Sequence, residues 1–165
     1  MNGKIIVLTG DGKGKTTSAF GMAVRASGHG KKVVIIQFLK KGMYGEIRAE
    51  IKNVEIRQFG REEFIFEPEK EDYELTKKAI EFSLNALKKQ PFMLILDEIN
   101  VALSIGLVKV KDVLKLIDKR GETHIVLTGR NAPSEIIECA DIVTEMKNIK
   151  HYYDKGTKAI EGIEY

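Results

Sequence analysis

The run Gly10-Asp11-Gly12-Lys13-Gly14-Lys15-Thr16-Thr17 constrains this chain more than any other feature. Gly10 and Gly12 allow a tight backbone turn whose N–H groups point inward, where an anion's oxygens can approach closely. Gly14-Lys15-Thr16 then supplies an ammonium for outer phosphates and a hydroxyl for magnesium. The context fits on both sides. The apolar run Ile5 to Leu8 reads as a buried strand, and Lys15 to Ser27 carries Ala19, Phe20, Ala23 and Val24 on one helical face, with Gly28 as its expected C-terminal cap. A helix starting at such a loop adds the partial positive charge of its N-terminus. The first glycine of the usual pattern is replaced by Thr9, so the motif is a variant. The alternative is a Gly/Lys-rich turn that merely joins strand to helix. Lys13 by itself reads equally as a solvated loop lysine or a phosphate ligand.

Further apolar runs follow at Val33 to Ile36, Phe92 to Leu96 and Ile125 to Leu127, with a weaker one at Ile142-Val143 and another strand expected at Val54 to Gln58. Runs without alternation belong to strands buried on both faces. Helical stretches separate them. Residues 69 to 90 carry Leu75, Ala79, Phe82 and Ala86 at helical spacing, with Pro68 before, acids Glu69, Glu71 and Asp72 in the first turn, and Pro91 as the stop. Lys111 to Arg120 and Pro133 to Ala140 read as shorter helices. Strand–helix alternation of this kind implies an α/β domain with a mostly parallel sheet flanked by helices. No repeat or linker divides residues 1–165, and the length suits a single domain.

Composition excludes several classes. Lys plus Arg is 27 against 24 for Asp plus Glu, and a net +3 is too small an excess to argue for nucleic acid. No apolar run approaches the roughly 20 residues of a membrane span, and the N-terminus lacks a secretory signal pattern. The single cysteine, Cys139, allows no intrachain disulfide and suits a reducing, cytoplasmic setting. His29, His124 and His151 are dispersed and make no zinc pattern.

Three features have two readings each. Asp97-Glu98 follows an expected strand, where an acid beside the phosphate loop would hold magnesium, or would cap the next helix. The segment from Phe59 to Pro68 places three aromatics, Phe59, Phe64 and Phe66, in an expected loop, either as a satellite core or as an apolar wall for a bulky ligand or interface. Arg25 is a surface residue or a nucleotide contact.

Taken together, these residues resemble the P-loop corrinoid adenosyltransferases, over essentially the whole chain. The resemblance rests on Gly10 to Thr17, Phe20-Gly21, Arg25-Ala26, Gly28-His29-Gly30-Lys31, Val34 to Phe38 and Leu96-Asp97-Glu98. Its most specific parts are Leu127-Thr128-Gly129-Arg130, Ala140 to Met146, and the ending Ile149-Lys150-His151, Gly156 to Ala159 and Gly162-Ile163. The resemblance implies a P-loop NTPase (RecA-like) fold and transfer of the adenosyl group of ATP to cob(I)alamin or a related corrinoid. It implies that Gly10, Asp11, Gly12, Lys13, Gly14, Lys15, Thr16 and Thr17 hold the triphosphate, in the direction reverse to ordinary P-loop enzymes. Thr16 and Glu98 match magnesium ligands, Arg25 a nucleotide-site arginine, and Phe64 and Phe66 the aromatics that close the lower face of the corrin. Lys15, Thr16, Phe64 and Phe66 are thus the expected catalytic set. A homodimer and an electron donor that reduces Co(II) are implied as partners.

The sequence also departs from the family pattern. Phe66 stands where well-known members have tryptophan, and Asn131-Ala132-Pro133 replaces a Gly-rich, His-containing stretch. The N-terminal extension of longer members is not present ahead of the phosphate loop, so a more open corrinoid site is expected. An ordinary P-loop ATPase or small-molecule kinase is the competing enzyme reading, and a non-catalytic nucleotide or corrinoid carrier is the competing binding reading.

Overall fold

The computed structural model describes residues 2–62 and 67–165. Phe64 and Phe66 lie outside the described residues.

Six strands form one sheet in which every pairing is parallel. They are β1 (Ile5–Thr9), β2 (Val33–Phe38), β3 (Val54–Phe59), β4 (Met93–Asp97), β5 (His124–Thr128) and β6 (Ile142–Glu145), in the spatial order β3-β2-β4-β5-β1-β6. All six expected strands are present. The continuous apolar runs became the interior strands, since a central parallel strand has both faces covered and β4 is buried at every residue. The weaker runs became the edges, where β3 alternates in exposure and β6 is exposed throughout.

The helices are α1 (Lys15–Gly28), α2 (Gly45–Arg48), α3 (Lys70–Leu87), α4 (Ile99–Ser104), α5 (Val110–Asp118) and α6 (Ser134–Glu138), and a 3₁₀ turn follows at Tyr152–Lys155. One core joins α3, α4, α5 and α6 to the sheet through Ala79, Ala102, Val113, Leu116 and Ile136 against Val7, Ile36, Leu94, Leu96 and Leu127. The opposite face packs α1, through Ala19, Phe20, Ala23 and Ala26, on Leu8, Ile35, Ile95 and Val126. Small residues at three of those four helix positions bring α1 close to the strands, and so bring the loop preceding it close to the sheet edge.

Helix boundaries moved by one to three residues, with α5 at Val110–Asp118 and α6 at Ser134–Glu138 rather than 111–120 and 133–140. α1 does not cap at Gly28, which is still helical; His29 is the C-terminal cap residue, and Gly30 takes the left-handed conformation at φ 69. α3 starts with a capping box formed by Glu69 and Asp72 and ends at Leu87 rather than 90, since Gln90 turns to φ 48 before Pro91. The short helices α2 and α4 have no counterpart in the sequence reading, because four- and six-residue helices show too little periodicity to detect.

Candidate active site

In an all-parallel sheet the carboxyl ends of the strands share one edge, and loops leaving there converge on one crevice. Here that crevice gathers the phosphate loop after β1, Lys40 after β2, Asp97-Glu98 at the end of β4, and Gly129-Arg130 after β5.

The loop's glycines are required by geometry. Gly14, the N-cap of α1, lies at φ 113, a region that strains L side chains. Gly10 lies at φ 94, and a Cβ there would come within 2.4 Å of the Met146 carbonyl oxygen. The loop is tied to the end of β6, because the Gly12 N–H donates to Met146 O at 2.7 Å. Lys15 turns inward and donates to the Gly12 carbonyl at 2.7 Å. Burial pulls the Lys15 ammonium below its ordinary pKa; Glu98 opposes that shift, while Arg130 and Lys40 add to it.

Asp97 is the centre of the site. It is fully buried, and its Oδ1 accepts from the hydroxyls of Thr16 at 2.8 Å and Thr128 at 2.7 Å. Its Oδ2 accepts from Lys40 Nζ at 3.0 Å and Gln37 Nε2 at 3.3 Å. Gln37 in turn accepts from Gln58 Nε2 at 2.9 Å, which makes a polar chain across β4, β2 and β3. Such buried polar groups are tolerable only when their partners are present.

Glu98 occupies the N-cap position of α4 in a left-handed conformation, φ 63, yet its side chain makes no capping hydrogen bond. The helix-capping reading of this acid therefore fails. Its side chain is 24% exposed, and its Oε1 lies 3.7 Å from Lys40 Nζ. Burial raises the Glu98 pKa, and the neighbouring Asp97 raises it further, against the pull of Lys40. Burial alone would pull the Lys40 ammonium down, but Asp97 and Glu98 outweigh it and its pKa is raised.

Thr16, Asp97 and Glu98 thus present a hydroxyl and two carboxylates side by side, and an ammonium sits among them. That donor set suits magnesium, a hard cation that takes one or two carboxylates and completes its shell with phosphates and water. Among the described residues no group of three or more His, Cys, Asp or Glu could hold a metal ion.

The other expected site residues fall less evenly. Lys13 is exposed but not directed into the loop: it donates to the Ile163 carbonyl at 2.5 Å and lies 3.4 Å from Glu164. The C-terminal segment is therefore laid along the phosphate loop. There Glu164 also accepts from the Tyr152 hydroxyl at 2.5 Å, and the same bond pushes the phenol up to about 12. Asp11 is exposed, with Arg130 Nε at 3.9 Å, and Thr17 faces solvent. Arg25 is exposed in the last turn of α1, about 15 Å along the axis from Lys15, and is not brought to the loop.

Lys40 and Arg130 enter the site without having been singled out as site residues by the sequence reading. Arg130 follows Gly129 at φ 127 and precedes Asn131 at φ 56, and the turn is held from below by the buried Asn100, whose Nδ2 donates to Gly129 O at 3.3 Å. A basic residue just past a buried strand was the available signal for both. A cleft of about 560 Å³ between α3 and α5, lined by Ile80, Leu84 and Leu107, contains none of these groups.

A parallel sheet, a glycine-rich loop opening α1, and a hydroxyl bonded to a strand-end acid define a P-loop nucleotide-binding protein. The family described as ATP:corrinoid adenosyltransferase BtuR/CobO/CobP matches residues 1–165. The chain is 40% identical over 172 residues to a corrinoid adenosyltransferase of a Sinorhizobium species, covering 99% of this chain and 80% of that one. It is 35% identical over 169 residues to the corrinoid adenosyltransferase of Escherichia coli K12, covering 99% and 86%. The chain belongs to the ATP:corrinoid adenosyltransferase family. Among the described residues no helix is long and apolar enough to cross a membrane.

Proposed function

We propose that this enzyme transfers the 5′-deoxyadenosyl group of ATP to the cobalt of cob(I)alamin or a related corrinoid. The observation that carries the reading is the contact of the Thr16 hydroxyl with buried Asp97, 2.8 Å apart, in a chain of this family. The Co(I) lone pair attacks C5′, the C5′–O5′ bond breaks, and its electron pair leaves on triphosphate. The metal is the nucleophile, so no serine, cysteine or general base is required of the protein. What is required is stabilisation of charge growing on the departing oxygen. Lys15, the N–H groups of residues 10–16 and the α1 N-terminus would take that role. Thr16 and Glu98 would hold magnesium, with Asp97 fixing the Thr16 hydroxyl; the ion would neutralise triphosphate charge. Asp11, Lys13 and Thr17 belong to the proposed loop set through the motif, and Arg25 through resemblance. Lys13 would have to exchange the C-terminal segment for a phosphate.

The test is an anaerobic assay with chemically reduced corrinoid and ATP. Formation of the Co–C bond with release of triphosphate is the expected outcome. ADP would instead indicate an ordinary ATPase or kinase, and no product would indicate a carrier.

Phe64 and Phe66 are proposed to close the lower face of the corrin, displacing the axial ligand that makes Co(I) hard to form. With both changed to alanine, the rate from Co(II) substrate and a weak reductant should collapse, while the rate from pre-reduced Co(I) should fall far less. Equal losses with both substrates would rule out the axial-ligand role. An external electron donor, a cytoplasmic location and a homodimer complete the proposal. The exposed edge strand β6, with Ile142 and Val143 half-exposed, is compatible with a dimer contact. Sedimentation showing only monomer at micromolar concentration would count against the dimer.

A further inference from the structure

Lys40 lies outside the glycine-rich loop, yet its Nζ sits 3.0 Å from Asp97 Oδ2, 3.4 Å from Thr16 Oγ1 and 3.7 Å from Glu98 Oε1. These three oxygens come from β4, α1 and the β4–α4 junction. Those of Thr16 and Glu98 are the donors a divalent cation would use here, and Asp97 fixes the Thr16 hydroxyl. The phosphate-loop lysine does not fill this position, since Lys15 is turned to the Gly12 carbonyl. We propose that Lys40 is a resident cation: its ammonium occupies the metal position in the nucleotide-free protein, holds the acidic pair in place, and withdraws when a magnesium–triphosphate complex arrives. The inference rests on the magnesium reading above and adds a positioning residue to it.

The physical need is plain. Two carboxylates on adjacent residues, one of them fully buried, repel each other, and burial penalises their charge. Without a cation between them, one would turn away, and the metal donors would no longer be arranged in advance. A nearby ammonium removes that cost. It also competes with free divalent cations, so the metal would bind well only with its triphosphate.

The backbone around Lys40 is held so that only its side chain need move. Leu39 lies in the left-handed region at φ 60, and its N–H donates to Phe59 O at 3.0 Å. Gly60 packs so tightly on this turn that a Cβ would come within 2.2 Å of the Lys40 nitrogen. The end of β2 is thereby fixed against β3, with the flexible lysine stem projecting to the acids. Lysine suits a movable charge better than arginine, whose planar guanidinium prefers fixed two-point contacts.

The test uses Mn²⁺ as the probe and counts the free ion by electron paramagnetic resonance. Wild-type protein without nucleotide should bind Mn²⁺ weakly. Lys40→Met should bind it about tenfold or more tightly, because a positive charge at contact distance has gone, and Mn²⁺ should raise its Tm more than that of wild type. Lys40→Gln, neutral and still able to donate to Asp97, should shift affinity in the same direction and covers the case in which the methionine variant does not fold. A structural ion pair with no cation role predicts a lower Tm in the variants and an Mn²⁺ affinity equal to or below wild type; that result overturns the proposal. If wild type takes up Mn²⁺ with ATP and the variants gain nothing without it, the Lys40 inference alone falls. If neither takes up Mn²⁺ under any condition, the magnesium reading falls with it.

Discussion

Changing Lys15 to alanine is expected to slow adenosyl transfer by a factor on the order of 10²–10³, with corrinoid affinity little changed. The reasoning is differential. A donor that meets charge present only as triphosphate departs acts on the transition state and lowers kcat, whereas a donor that held ground-state ATP equally well would act on KM. The proposed mechanism gives Lys15 the first role. In the nucleotide-free protein it rests on its own loop's carbonyl, Gly12 O, and the part burial that lowers its pKa strengthens whatever charge contact it makes. Lys15→Arg is the companion. It keeps the charge, but the crowded loop should not accept a planar fork, and recovery should be small. The measurement is kcat and KM for ATP with pre-reduced corrinoid, so that cobalt reduction does not limit the rate. An alanine variant keeping more than half of wild-type kcat would remove Lys15 from the transition state.

The second large effect is on the fold itself. Asp97→Ala removes the acceptor shared by Thr16, Thr128, Lys40 and Gln37 in a position with no solvent access. Breaking a buried pair by deleting one partner costs about 3–5 kcal/mol. The lower end applies here, since Lys40 is 22% exposed and can turn to Glu98. A loss of about 3 kcal/mol should lower Tm by roughly 6–12 °C in a domain of this size. Asp97→Asn keeps the shape but sets an amide N–H₂ against the Lys40 and Gln37 donors, so it should recover only part of the loss. Glu98→Gln provides the contrast. Glu98 is partly exposed and makes no capping bond, so stability should change by under about 1 kcal/mol while the magnesium concentration for half-maximal rate rises. Thermal unfolding of the three variants beside a magnesium titration separates the roles. An Asp97→Ala variant as stable as wild type would show that the network adds nothing to the fold. An unchanged magnesium titration in Glu98→Gln would move metal binding to Asp97 or water.

Much of this was legible in the residues. Unbroken apolar runs gave the parallel strands, because a strand covered on both faces needs no alternation, and Gly14-Lys15-Thr16 between a strand and a helix placed the phosphate loop. The acid pair was found at its strand end, and the structure removed the capping reading, since Glu98 caps nothing. The pairing of Lys40 with Asp97 was beyond reach. Whether the residue after β2 meets the residue ending β4 depends on those strands being neighbours, and that strand order is set by packing across the sheet rather than by any local pattern. Lys13 is the same case at longer range. Its sequence context shows a loop lysine, and only the folded chain brings Ile163 and Glu164, 150 residues onward, against it. Local sequence carries period, turn chemistry and motif, which decided the elements and the kind of ligand. Contacts between elements distant in the chain decided which cation faces which acid, because those pairings follow from how the sheet closes its core.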